Sequence, residues 1–340
     1  MKNIKDYADN TIRYFRLTRY IYIRGGGFYI DLEPRREIEI NSLLKNFDAS
    51  ANYFKDKNAY LEYISDITQP KLPWQNKDIL QKIYSSLIAD IKKLGGKIDK
   101  RVDGFDLEKE IKILREYRKL LQDDKLKQEL QEIKSIDNVI ENLKNIRNLD
   151  LKPSIALEKY ITQALTIIND AINIKANSLR GDDGEFIFTA SANKPDIECF
   201  YESFNSICEV TMLTNRDQWH NEGQPVMRHL REFENKSTKD ENYCIFVAPA
   251  LHRDTINTFW IAVKYEYEGK KQKIIPLTIA QIIEILKFIK KYKNEDKHFS
   301  HKRFKKLLDD IISHTTKVDN SNLWINEISN IIKNFVKESI

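Results

Sequence analysis

Residues 194–211 read KPDIECFYESFNSICEVT, with two short apolar runs on either side of the polar turn ESFNS. Apolar runs separated by turn residues predict an antiparallel hairpin. If the chain reverses near residues 202–203, Asp196 and Glu209 lie close to directly opposite each other, within reach of a shared ligand. Alternate residues of a strand point to the same side, so Thr211 faces the same cleft as Glu209.

A third acid, Glu222, follows Glu209 by thirteen residues, the same spacing that separates Asp196 from Glu209. Carboxylates held this close repel each other, and a divalent metal removes the conflict. Mg²⁺ prefers oxygen ligands and keeps several waters, one of which can attack a phosphodiester. The spacing therefore predicts a magnesium site for phosphodiester hydrolysis. The alternative is a set of surface acids on an α/β domain.

The composition is that of a soluble globular protein, with 31% charged and 41% hydrophobic residues in 340. This length is sufficient for two or three domains. The net charge of +5, from 56 basic and 51 acidic residues, permits nucleic acid as a partner without requiring it. Cys199, Cys208 and Cys244 lie in apolar runs and are predicted to be reduced core residues. Without a signal peptide or a membrane-spanning run, the expected location is the cytoplasm.

The N-terminal region predicts a winged-helix-like DNA-binding module over residues 1–72. Residues 14–23 alternate as in a strand, the glycines at 25–27 suit a tight turn, and residues 28–32 form the returning strand. Pro34 suits the first turn of a helix. The predicted hairpin carries four arginines, Arg13, Arg16, Arg19 and Arg24. On a wing they contact DNA phosphates; the alternative is an ordinary solvated strand face.

Two further domains follow along the chain. Residues 73–150 are charged with periodic Ile and Leu, which predicts a helical linker domain. From Pro153 to Ala176 the pattern predicts an amphipathic helix with Glu158 on its inward stripe, as a surface-edge residue or a buried acid. Short strands and helices then alternate, so residues 151–340 are predicted to form an α/β domain with a small mixed sheet flanked by helices.

Three segments together resemble a known family. They are residues 15–36, with Arg24 before Gly25-Gly26-Gly27; residues 194–211; and residues 218–229, from Gln218-Trp219 to Arg228-His229. The chain is similar in these segments to the type IIS restriction endonucleases of the AlwI, MlyI and PleI group and their nicking relative BstNBI. These enzymes belong to the PD-(D/E)xK nuclease superfamily. The resemblance implies an endonuclease catalytic domain at 151–340.

The resemblance also implies an active centre. It comprises Glu158, Asp196, Glu209 and Glu222, with Mg²⁺ held by Asp196, Glu209 and Glu158. His229 either reaches this site or is a surface histidine. Thr211 stands where most nucleases of the superfamily carry lysine. The resemblance implies that members of this family also carry threonine there. Activation of water then depends on the metal or on another group, such as the adjacent Lys194.

The function implied is hydrolysis of double-stranded DNA at a distance from a recognition sequence, by a restriction endonuclease or a nicking subunit. A single site cuts one strand, so cleavage of both needs a transient dimer or a second subunit. Relatives carry a recognition region before the arginine hairpin, whereas only residues 1–12 precede it here. A truncated chain or one subunit of a two-chain enzyme is therefore expected. The alternatives are a catalytically inactive DNA-binding or specificity subunit, and a repair or recombination nuclease on the same core.

Overall fold

The structure is a computed structural model, which describes residues 2–24, 29–48, 50, 52–68, 72–98, 106–168, 170–182, 184–191 and 193–338. The chain forms two compact units. Unit 1 comprises Met1–Leu126 and Gly181–Glu185, and unit 2 comprises Lys127–Arg180 and Phe186–Ile340. The three domains predicted from the sequence stay a prediction.

The elements from the N-terminus to the end of unit 1's main segment are helical apart from one hairpin. In order they are α1 (Lys2–Leu17), β1 (Ile21–Arg24), β2 (Tyr29–Leu32), α2 (Glu37–Asn46), α3 (Lys57–Ser65), α4 (Lys77–Lys93) and α5 (Leu107–Glu129). The strands pair antiparallel, with Ile21 opposite Leu32. Pro34 opens a short 3-10 helix, Pro34–Arg36, directly before α2. The predicted return strand and following helix are confirmed, whereas the glycine turn lies outside the described residues.

The strand predicted over residues 14–23 is wrong in its first half. Helix α1 continues to Leu17, and β1 begins only at Ile21. Between them the Thr18 hydroxyl donates to the Phe15 carbonyl at 2.6 Å, and Arg19 has a left-handed backbone with φ of 59°. The apolar residues before and after this turn happen to share the same odd numbering, so they mimic one continuous alternating strand.

The four arginines predicted on one hairpin are therefore divided between elements. Arg13 and Arg16 belong to α1, Arg19 lies in the turn, and Arg24 is the last residue of β1. The side chain of Arg19 is exposed. The side chains of the other three lie outside what the structure describes. A helix, a hairpin and a second helix follow one another here, but a winged-helix module is not confirmed.

Buried ion pairs hold the parts of unit 1 together. Asp182 accepts a hydrogen bond from Arg36 Nε at 2.5 Å and forms an ion pair with Arg118 Nη2 at 3.3 Å. Arg36 also donates to Glu39, which is bonded to Arg115 as well. The neighbouring guanidinium groups outweigh the effect of burial and lower the pKa of Asp182. The segment Gly181–Glu185 is thus fixed to unit 1 by charge.

Unit 2 contains most of the sheet structure. Its elements are α6 (Ile133–Lys144), α7 (Pro153–Ile168), β3 (Asn173–Ala176), β4 (Ser178–Arg180), β5 (Phe186–Ala190), β6 (Ile197–Phe200), β7 (Asn205–Val210), α8 (Arg216–Lys236), β8 (Asn242–Ala248), α9 (Arg253–Lys264), β9 (Ile274–Thr278), α10 (Ile279–Asn294), α11 (His301–Ser313) and α12 (Ser321–Glu338).

The main sheet has five strands in the order β3-β6-β7-β8-β9. The first two pairings are antiparallel and the last two are parallel, so the sheet is mixed, as predicted. Strands β4 and β5 form a separate antiparallel hairpin. Strand β8 is buried along its whole length, which is typical of a parallel strand covered on both faces. The α/β architecture is therefore present in this unit.

The helix predicted from Pro153 to Ala176 is shorter in the structure. It ends at Ile168, and residues Asn173–Ala176 form strand β3. Asp170 has a positive φ of 67°, a conformation that cannot continue a right-handed helix. Ile172, predicted on the buried stripe, is 70% exposed, whereas Glu158 is only 3% exposed.

The cysteines are free and buried, as predicted. Cys208 and Cys244 lie on the adjacent central strands β7 and β8, and Cys199 lies on β6. Burial raises the pKa of the Cys199 thiol to about 12. Among the described helices, none is long and apolar enough to cross a membrane.

Candidate active site

The open end of the β6–β7 hairpin brings Asp196 next to Glu209. The ladder pairs Ile197 with Cys208, and one further step in the same register places Asp196 opposite Glu209. The backbone N–H of Val210 donates to Asp196 Oδ2 at 2.8 Å, which fixes this carboxyl against β7. The predicted opposition of the two residues is confirmed.

Glu209 lies on a central strand of the sheet, and its side chain is buried. Strand β7 has a neighbour on each side, and the Glu209 side chain is 7% exposed. Its Oε1 atom is 2.8 Å from Nδ1 of His229 on helix α8. Of the two alternatives for His229, a residue that reaches the site and a surface histidine, the contact with Glu209 and the 12% exposure of its side chain favour the first.

Helix α8 supplies Glu222 and His229 from the same face. They are seven residues apart, which is close to two helical turns. Thr211, one residue beyond β7, accepts a hydrogen bond from the Leu213 N–H at 3.2 Å, and its hydroxyl lowers the pKa of the Glu222 carboxyl. Thr211 is buried, and its backbone N–H donates to the Val247 carbonyl at 3.0 Å. Thr211 is uncharged and therefore supplies no positive charge beside these acids.

Glu158 comes from helix α7 and is held by two donors. Its Oε2 atom accepts hydrogen bonds from the Ser178 hydroxyl at 2.5 Å and from the Ala190 N–H at 3.0 Å. Both donors lie on the β4–β5 hairpin, where Ser178 and Ala190 are cross-strand partners. Neither donor is recognisable from the sequence, because a bond between distant segments leaves no periodic pattern.

The four acids interact electrostatically at one place. Burial raises the pKa of Asp196 well above its usual range, and the charges of Glu209, Glu158 and Glu222 raise it further. Burial and the charge of Glu222 raise the pKa of Glu209 in the same way. Burial also raises the pKa of Glu222, against the hydrogen bond from Thr211.

Glu158 and His229 are shifted in opposite directions by the same cause. Burial raises the pKa of Glu158 to about 7, although its two hydrogen bonds act against the shift. Burial lowers the pKa of His229, and the guanidinium of Arg228 lowers it further. Burial disfavours the charged form of each group, and a bound cation would favour the charged form of the carboxyl.

The acids do not form a ready-made coordination sphere. Within the part of the chain that the structure describes, no group of three or more His, Cys, Asp or Glu side chains is arranged to hold a metal ion. The donor set nevertheless suits a hard divalent cation, because Asp196, Glu209 and Glu158 offer carboxylate oxygens whose charges repel one another. The His229 Nε2 atom is buried and has no hydrogen-bond partner among the described residues.

Two other residues near the predicted motif have different surroundings. Lys194 is exposed in the loop before β6. Gln218, on α8, is completely buried: its Nε2 donates to the carbonyls of Leu213 and Ala250, and its Oε1 accepts from the N–H of His252. Gln218 therefore fixes the loops after β7 and β8, which sequence reasoning did not recognise.

The sequence model of the AlwI restriction endonuclease family matches residues 1–285. No protein among the curated sequences matches the chain. Among solved structures, the small subunit of the heterodimeric restriction endonuclease R.BspD6I is similar at 19% identity and a TM-score of 0.49. That similarity covers 58% of this chain and 98% of the subunit.

Proposed function

This chain belongs to the AlwI restriction endonuclease family, and we propose that it is a Mg²⁺-dependent type IIS enzyme or nicking subunit. It would hydrolyse phosphodiester bonds of double-stranded DNA at a distance from the recognition sequence. The observation that carries this proposal is the opposition of Asp196 and Glu209 at the open end of the hairpin, where Glu158 and Glu222 add their charge.

Asp196, Glu209 and Glu158 are the residues that would hold the metal. When bound, a divalent cation supplies neutralisation of phosphate charge and activation of water. In the protein alone, burial and mutual repulsion favour protonation of these carboxyls. Metal binding must therefore displace protons, which couples cation affinity to pH.

His229 is the proposed proton acceptor in place of the missing lysine. Its lowered pKa keeps the imidazole neutral near pH 7. If Nδ1–H donates to Glu209 Oε1, then Nε2 carries the lone pair, and this is the buried nitrogen without a partner among the described residues. Glu209 then has two tasks, one toward the cation and one in fixing the tautomer of the base.

Thr211 acts by orienting Glu222. Its hydroxyl lowers the pKa of that carboxyl, and its backbone N–H donates to the Val247 carbonyl of β8. A threonine in this position cannot neutralise a developing negative charge as lysine does. The charge is therefore balanced by the cation and by groups outside the strand.

A single site of this kind cuts one strand. Cleavage of both strands needs a second site, from a transient dimer or from another subunit. The arginines Arg13, Arg16, Arg19 and Arg24 are proposed to contact DNA phosphates, although they do not share one hairpin. Their contribution is to affinity rather than to the choice of sequence.

Nicking of supercoiled plasmid in Mg²⁺ tests the proposal. Asp196→Ala and Glu209→Ala should abolish cleavage while leaving DNA binding intact. Glu202→Gln is the matched control, since this acid lies at the opposite end of the same hairpin with its side chain 81% exposed. Equal cleavage by wild type and the two alanine variants would disprove the site. Salt-sensitive DNA binding without cleavage in Mg²⁺ or Mn²⁺ would instead indicate the inactive DNA-binding subunit.

A further inference from the structure

Two consecutive residues, the one that joins β3 to β4 and the first residue of β4, form hydrogen bonds to two of the proposed metal-binding residues. Asn177 lies directly after β3, and its backbone N–H donates to the Asp196 carbonyl at 2.9 Å. Its side-chain Nδ2 donates to the Pro195 carbonyl at 2.8 Å and to Glu198 Oε2 at 3.2 Å. The loop that carries Asp196 is therefore bound to Asn177 at two successive carbonyls.

The next residue, Ser178, is bonded to the other acid. Its hydroxyl donates to Glu158 Oε2 at 2.5 Å. Ser178 is 8% exposed and Glu158 is 3% exposed, so water does not readily replace this donor. The ladder shifts its register immediately after Ser178, which marks an irregularity in the hairpin at this point.

These contacts place Asn177 and Ser178 between Glu158 on α7 and Asp196 at the start of β6. The main-chain bond from Asn177 is the next step of the β3–β6 ladder, which pairs Ala176 with Ile197. The side-chain bonds to Pro195 and Glu158 are additional to the ladder. Strand pairing does not require a hydroxyl bonded to a buried carboxyl of a helix. The bond from Ser178 to Glu158 therefore calls for another explanation.

We propose that Asn177 and Ser178 are positioning residues that set the separation of the Glu158 and Asp196 carboxyls for one divalent cation. This inference rests on the proposed function. Neither residue needs to touch the cation or DNA. Residues that orient metal ligands through hydrogen bonds commonly change metal affinity by tenfold or more when they are replaced.

The first measurement is Mn²⁺ binding to the full-length protein without DNA. Electron paramagnetic resonance of the free ion monitors this binding. Ser178→Ala should raise the Mn²⁺ dissociation constant about tenfold, and Asn177→Ala should raise it in the same direction. Ser178→Thr keeps the hydroxyl and should restore wild-type binding. Ser206→Ala is the control, because Ser206 is fully buried in β7 near the turn, away from Asp196.

The Mg²⁺ concentration that gives half-maximal plasmid nicking provides the second measurement. It should rise in Ser178→Ala, while the rate at saturating Mg²⁺ and DNA binding in Ca²⁺ stay near wild type. A purely structural role would lower the melting temperature without this selective change in metal dependence. If Ser178→Ala does not fold, Ser178→Cys serves the same test, since a thiol is a weak donor of similar size.

The outcomes separate this inference from the proposed function. If Asp196→Ala loses Mn²⁺ binding but Ser178→Ala and Asn177→Ala bind as tightly as wild type, the positioning role is overturned and the proposed metal site stands. If wild type binds Mn²⁺ no better than Asp196→Ala, both proposals are overturned.

Discussion

The imidazole Nδ1 of His229 lies 2.8 Å from Oε1 of Glu209, although the two residues come from a helix and a central strand. This pair joins an acid whose pKa is raised to a base whose pKa is lowered, both by burial. In each group burial disfavours the charged form. The pair is the point at which proton transfer and cation binding meet in the proposed mechanism.

Replacing His229 by alanine should reduce the nicking rate by about 10²- to 10⁴-fold, the usual contribution of a general base. DNA binding in Ca²⁺ should be unchanged, because the imidazole contacts Glu209 rather than the surface. His220→Ala is a suitable control: it lies on the same helix, but two residues from Glu222 and therefore on a different face. A wild-type rate in His229→Ala would exclude the base assignment.

The metal-free protein should be more stable at pH 5 than at pH 7.5. Glu158 has a folded-state pKa of about 7 and an ordinary value of 4.5, so the folded state binds more protons between these values. Its contribution to the free energy of unfolding is fully present below pH 4.5 and is lost as pH rises to 7, by about 3 kcal/mol.

Urea unfolding in EDTA across this pH range measures the effect. Glu158→Gln should remove a large part of the pH dependence, whereas Glu202→Gln, which changes an exposed acid, should leave it in place. Stability that rises steadily from pH 5 to 7.5 in wild type would contradict the raised pKa of Glu158.

Asp196→Asn should stabilise the metal-free protein at pH 7.5 while abolishing cleavage. The amide oxygen still accepts from the Val210 N–H, and a neutral amide avoids the cost of keeping an ionisable carboxyl buried beside Glu209 and Glu158. We expect the free energy of unfolding to rise by about 1 kcal/mol, as is common when a residue of a functional site is neutralised. Thermal melting in EDTA provides the measurement. Asp217→Asn, which changes an exposed acid on α8, is the control. Loss of stability in Asp196→Asn would show that this cost does not dominate here.

Gln218→Ala should destabilise the protein by about 3 kcal/mol. The change leaves two carbonyl groups and one N–H without their partner in a fully buried position. Gln224→Ala, on the exposed side of the same helix, should have little effect. Chemical denaturation of both variants makes the comparison, and equal stabilities would mean that water replaces the Gln218 amide.

The part of the site that follows from local pattern was predictable. Two short apolar runs and the turn between them predict the register that places Asp196 opposite Glu209, because the position of the turn fixes the pairing of a hairpin. Periodicity likewise placed Glu158 on the inward stripe of a helix, and only the structure shows that the acid itself is buried. Such patterns arise from burial along one element, and burial is recorded in the order of residue types.

The parts that were not predicted depend on contacts between distant elements or on backbone conformation. Ser178 and Gln218 bond to groups far away in sequence or to main-chain atoms, which no periodic pattern records. The end of α7 near Asp170 and the turn at Arg19 depend on left-handed residues other than glycine. Asn, Asp and other polar residues adopt this conformation only in some contexts, so sequence alone does not reveal it.

The ion pairs of Asp182 bear on how this protein can be shortened. A fragment that begins at Lys127 keeps Asp182 but lacks Arg36 and Arg118, its partners in unit 1. In such a fragment Asp182 has lost the guanidinium groups that lower its pKa. Trimming the N-terminal region therefore removes the partners of an acid that the shortened chain still carries. Shortened versions are better begun from an Asp182→Ser background.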